Sequence, residues 1–104
     1  MGVGSIAKDA FGVFEDVRGA VAMYMFILEE AIQTVGMACY INYRREKYDK
    51  CKELAQYCIE TLINPLKEFA DSPAGNLAYP MNLSYSAFAS ASKKTMQTYL
   101  ELEE

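Results

Sequence analysis

The sequence predicts an all-α protein, a long central helix plus two shorter helices in an irregular helical bundle. Three observations predict it. Apolar residues recur at helical spacing through residues 5–43, a second amphipathic pattern runs on from Tyr48, and a single loop-like stretch precedes a last helical pattern. A chain of 104 residues with 52% hydrophobic side chains is long enough for one packed domain and too apolar to be disordered.

The first helix is expected over residues 5–43. With Phe14 at position a, Phe14, Val21, Leu28 and Val35 fall at a, and Val17, Tyr24, Ala31 and Ala38 fall at d. Together they form a heptad-like seam. A third row holds Val13, Ala20, Ile27 and Ile41, and a fourth holds Met25, Ile32 and Cys39. The acidic residues Glu15, Asp16, Glu29 and Glu30 occupy two adjacent rows. A helix apolar around most of its circumference belongs inside something rather than on a surface. Gly12 and Gly19 share one row, where the missing side chains would let another helix approach closely.

The character changes at Asn42. Tyr43-Arg44-Arg45-Glu46-Lys47-Tyr48-Asp49-Lys50 is charged, mixed in sign and free of glycine and proline, so no breaker marks where the first helix ends. The second helix is expected over about residues 46–70. Cys51, Ala55, Cys58, Leu62, Leu66 and Phe69 form its inner face, while Lys50, Lys52, Glu53, Glu60, Lys67 and Glu68 are solvated. Asn64-Pro65 should break or kink it, because proline lacks an N–H and disfavours helical geometry in the residue before it.

Residues 71–83 (DSPAGNLAYPMNL) read as a loop whose Leu77, Tyr79, Met81 and Leu83 rest on the helices or on a partner. Ser84 is the expected N-cap of a third helix over about residues 84–102. Tyr85, Phe88, Ala91, Met96, Tyr99 and Leu102 are its expected inner face. Glu101, Glu103 and Glu104 oppose the helix dipole at its end.

Composition narrows the chemistry. The chain has no histidine, which removes the commonest general base and the commonest metal ligand. No Ser-His-Asp, Cys-His or Glu-x-x-His arrangement can be built, and no phosphate loop, dinucleotide fingerprint or nucleophile elbow occurs. The expectation is therefore a protein that is not an enzyme and needs no cofactor or metal, with no small-molecule substrate identified. Cys39, Cys51 and Cys58 contain no CxxC pair. Residues 51 and 58 on one helix lie about 10 Å apart, beyond the roughly 7 Å that a disulfide spans. Reduced, buried thiols in an intracellular, reducing compartment are expected. The N-terminus shows no secretory signal pattern.

The net charge of −4 divides as −3 over residues 1–41, +1 over 42–70 and −2 over 71–104. Arg44, Arg45, Lys47, Lys50 and Lys52 with Tyr43 and Tyr48 resemble a nucleic-acid patch. Glu46, Asp49 and Glu53 interrupt it at salt-bridge spacings, and no nucleic-acid partner is expected. Glu15 and Glu29 lie about 21 Å apart along a helix, too far to share a metal or act as an acid–base pair.

Residues 20–41 also invite a membrane reading, with Tyr40, Tyr43, Arg44, Arg45 and Lys47 as an interfacial belt. Seven favourable side chains contribute about −2 to −4 kcal/mol to insertion, and Glu29 with Glu30 costs about 5 to 7. Insertion of the helix alone loses. A small accessory subunit of a membrane complex, its first helix in or at the bilayer, remains an alternative, and a small acidic inhibitor or adaptor is a third.

The favoured expectation is a non-catalytic structural or assembly subunit of a larger homo- or hetero-oligomeric complex. Its expected interface residues are Val13, Phe14, Val17, Val21, Tyr24, Ile27, Leu28, Val35 and Ile41. Met23, Met25, Met37, Met81 and Met96 with the eight tyrosines suit an adaptable contact surface. The reason is covering power: two shorter helices offer less apolar surface than the first one needs.

Overall fold

The computed structural model describes residues 3–103. Helix α1 (Val3–Arg44) runs almost the whole length of the chain's 70 × 18 × 16 Å envelope. Its 42 residues account for about 63 Å at 1.5 Å per residue. Packed along its C-terminal part are α2 (Tyr48–Tyr57), a π-helical segment (Cys58–Ile63), α3 (Asn64–Asp71), the short α4 (Pro73–Asn76) and α5 (Met81–Leu100). Among the described residues there is no strand. The all-α expectation holds, and the long first helix extends the expected 5–43 by a residue or two at each end.

Helix α1 ends in a turn that no breaker residue announces. The Lys47 N–H bonds the Asn42 carbonyl at 2.9 Å and the Glu46 N–H bonds the Tyr43 carbonyl at 3.0 Å. That pair of bonds is the Schellman arrangement. Glu46 sits at its left-handed position with φ 60°, where glycine is usual. The Asn42 side chain adds a bond from Nδ2 to the Ala38 carbonyl at 2.8 Å.

Pro65 acts differently from a simple break. The chain restarts as α3 with the proline in the first turn. The six residues before Asn64, Cys58–Ile63, widen into a π-helix instead of leaving the helical path, and the Asn64 N–H bonds the Ile59 carbonyl five residues back. The wider turn accommodates a proline that has no N–H and whose ring crowds the carbonyl four residues before it. Residues 48–71 therefore form one continuous helical path.

The expected loop over residues 71–83 is mostly ordered as helix. Ser72, not Ser84, is the capping serine: its Oγ accepts from the Gly75 N–H at 3.2 Å and donates to the Phe69 carbonyl at 2.6 Å. Gly75 lies against the end of α3, where a Cβ would stand 2.7 Å from the Ala70 carbonyl oxygen and closer still to that of Phe69. Only glycine fits there without backbone movement. Helix α5 starts three residues earlier than expected, at Met81 after Pro80, and Ser84 is exposed on its surface.

The buried core joins Met25, Ile32 and Cys39 of α1 to Cys51, Ala55, Cys58, Ile59, Ile63, Leu66, Ala70, Ala78, Ala89 and Met96. Helix α5 contributes an unexpectedly polar line, since Asn82 and Ser86 are buried beside Ala89 while Ala91 is exposed. The Asn82 Nδ2 donates to the Ala70 carbonyl at 3.0 Å, and Lys67 Nζ donates to Ser86 Oγ at 2.7 Å. Both contacts clasp α5 to α3. Tyr85, Phe88, Tyr99 and Leu102 flank the core as expected.

Candidate interaction surface

The bundle covers only part of α1. Residues 4–17 are exposed without exception, and the first partly covered position is Arg18. Two seven-residue rows supply most of the contact with the companions: Arg18, Met25, Ile32 and Cys39, and beside them Val21, Leu28 and Val35. Continued toward the N-terminus, the same rows reach Phe11 and Phe14. There the companions have ended and the phenylalanines are bare. Ile6, Phe11, Val13, Phe14 and Val17 stand between 44 and 65% exposed. The charged residues of this stretch, Lys8, Asp9, Glu15 and Asp16, lie on the other side of the helix, with Gly12 and Gly19. A Cβ added to either glycine would meet nothing within 4 Å.

Of the nine expected interface residues, Val21, Leu28 and Val35 are partly buried against the chain's own core. Val13, Phe14, Val17, Tyr24, Ile27 and Ile41 are exposed, and the outer row Val13, Ile27 and Ile41 stands 63, 56 and 43% open. The deepest α1 row is Met25, Ile32 and Cys39, not the Phe14–Val35 seam. Periodicity alone did not distinguish them, because a helix with four apolar rows meets its companions wherever they lie. Met23, Met37 and Met81 are exposed, whereas Met25 and Met96 fill the core.

At the base of the bare segment a hollow of about 390 Å³ opens between α1 and α3, lined by Val17, Ala20, Val21, Tyr24 and Phe69. Tyr24 and Phe69 meet edge to face at 4.7 Å between ring centres, a favoured aromatic geometry. Phe69 was expected as an inner-face residue of the second helix, but its place at this hollow depends on the α3–α1 crossing and carries no local sequence signal. Close by in the fold, Arg18 Nη2 donates to the Tyr79 carbonyl at 2.9 Å. Leu77, Tyr79, Met81 and Leu83 are exposed rather than packed down.

The other candidate sites come apart in three dimensions. Among the described residues no three histidine, cysteine or acidic side chains are grouped so as to hold a metal ion. The three thiols are buried and unpaired, and Cys39 Sγ approaches Met96 Sδ at 3.8 Å. Burial, with the neighbouring thiols adding, pushes the Cys39 thiol up to about 12. Burial alone pushes Cys58 to about 11 and raises Cys51. Thiols held protonated in this way are poor nucleophiles. In the charged turn Lys50 pairs with Glu53 at 3.7 Å, and Arg44 donates to the Tyr40 hydroxyl at 3.0 Å while lying over its ring. No helix among the described residues, α1 with its residues 20–41 included, is long and apolar enough to cross a membrane.

Set against known proteins, the chain matches no family model, no curated protein and no solved structure.

Proposed function

We propose that this chain is a non-catalytic assembly subunit whose bare α1 segment is covered by protein in its working state. One observation carries the reading: the two rows that pack the core continue past the end of the bundle as Phe11 and Phe14, with nothing beside them. Five large apolar side chains half to two-thirds exposed amount to roughly 500 Å² in one patch, at the upper end of what monomers usually show. At about 25 cal/mol per Å², covering that patch releases on the order of 10 kcal/mol before the cost of association is subtracted. A protein surface fits better than a lipid surface, because the polar side of this segment sets Asp9, Glu15 and Asp16 against the single Lys8, a net negative charge that anionic headgroups would repel. The unpaired thiols suit reducing surroundings.

The test uses the native source. The mass of the species containing this chain is measured in gently prepared extract by size exclusion and native mass spectrometry. The expected result is an assembly heavier than 11.7 kDa that loses its partner when Phe14 is replaced by Asp. A species at the monomer mass under those conditions overturns the reading.

A further inference from the structure

We infer that the chain pairs with a second copy of itself, the bare halves of two α1 helices lying antiparallel and each helix tip filling the hollow of the other. The inference rests on the assembly reading above and names its partner. The apolar side of α1 is graded in size along its length. Toward the tip it offers Ala7 and Ala10, then Phe11 and Phe14; toward the bundle it offers Val17, Ala20, Val21 and Tyr24. A two-fold axis level with the Glu15–Asp16 peptide pairs these ends. It sets Ala7 opposite Tyr24, Ala10 opposite Val21 and Phe14 opposite Val17, with Phe11 on one flank of this face and Ala20 on the other. Each of these three layers joins a larger side chain to a smaller one, as close helix packing requires, and Val17, Val21 and Tyr24 of the hollow each gain a counterpart. Such self-matching is the signature of a two-fold interface, in which one patch serves both copies.

Length and area agree. The paired stretch from residue 7 to residue 24 is about 27 Å long. With the hollow and Phe69 added to the roughly 500 Å² of bare side chain per copy, the contact reaches about 1,200 Å² in total, the lower bound for a specific interface. Charge does not oppose it: Lys8, Asp9, Glu15 and Asp16 lie on the far side and stay wet, and Arg18, on the flank beside Phe11, is held by its bond to the Tyr79 carbonyl. The Gly12–Gly19 row also faces away, so the contact does not rely on glycine.

The purified full chain is examined by sedimentation equilibrium between about 1 and 100 µM. The expected mass is twice 11.7 kDa. Phe14→Asp should weaken dimerisation at least 100-fold with the far-ultraviolet helix signal unchanged, and Glu15→Gln, on the wet side, should change it less than 2-fold. Register is read by cross-linking. The double variant Ala10→Cys/Val21→Cys should oxidise to a disulfide-linked dimer, since within one chain these positions are about 16 Å apart. Gly12→Cys/Gly19→Cys, at the same level but on the outer row, should not. A purified chain that stays monomeric to 100 µM, or a dimer indifferent to Phe14→Asp, overturns the pairing. If the purified chain is monomeric but the native extract holds a heavier species, the second copy is wrong and the assembly reading stands. If both are monomeric, both fall.

Discussion

Arg18 reaches across from α1 to donate to the carbonyl of Tyr79 at 2.9 Å, and every described side chain of α1 before Arg18 lies exposed. The contact marks where α1 leaves its own bundle. It links the helix to the turn between α4 and α5, the last piece of the chain that the bundle offers at that end.

Arg18→Met removes this bond while keeping an unbranched stem. Because the bond is exposed, the expected loss of stability is small, at most about 1 kcal/mol. The sharper readout is hydrogen exchange, which should quicken in residues 77–81 and stay unchanged in residues 51–66. Equal quickening in both segments would show that Arg18 has no local anchoring role.

Ile32 and Ile27 test which side of α1 faces the core. Ile32 is 3% exposed and Ile27 56%. Ile32→Ala should cost about 2 to 5 kcal/mol in urea unfolding through lost burial and the cavity left behind. Ile27→Ala should stay within about 0.5 kcal/mol. The reverse order would place the wrong row inward.

Glu46 occupies a left-handed position at φ 60° that costs a side-chain-bearing residue roughly 1 to 2 kcal/mol. Glu46→Gly relieves that strain but frees the unfolded chain, so a net gain of about 0.5 to 1 kcal/mol is expected. It should appear as a higher urea midpoint with an unchanged slope. A lower midpoint would mean that the Glu46 side chain makes a stabilising contact greater than the strain.

The buried thiols set an alkaline limit on stability. Cys39 and Cys58 titrate near 12 and 11 in the fold, both above the ordinary value of 9.0. Between pH 9 and those values the unfolded chain loses thiol protons that the native chain keeps. The unfolded state then binds fewer protons, and stability falls as pH rises. Below pH 9 this contribution is fully present. Each retained proton contributes a slope of up to about 1.4 kcal/mol per pH unit. Tyr85 and Tyr99, raised by burial above their ordinary value of 10.0, act in the same direction at higher pH. Urea unfolding at pH 7, 9, 10 and 11 checks the sign, and a disulfide reagent should find three thiols only after denaturant is added. Stability flat to pH 11 would refute the shift.

Reading along the chain was enough for the all-α class, the long first helix, a disturbance of the second helix at Asn64-Pro65 and the exclusion of a Cys51–Cys58 disulfide. Each follows from spacing along one helix: apolar recurrence, a residue without an N–H, and seven residues of rise between Cys51 and Cys58. It also carried the excess of apolar surface on α1, because four apolar rows are countable without knowing their neighbours. The tertiary structure alone decided which rows are covered. Ile32 and Ile27 are equally apolar, and only the positions of α2, α3 and α5 bury one and leave the other open. It decided too that the covering stops at Arg18, that Ser72 rather than Ser84 caps a helix, and that Asn82 belongs inside. Those features depend on carbonyls of Phe69, Ala70 and Tyr79, brought close by chain crossings to which local periodicity is blind.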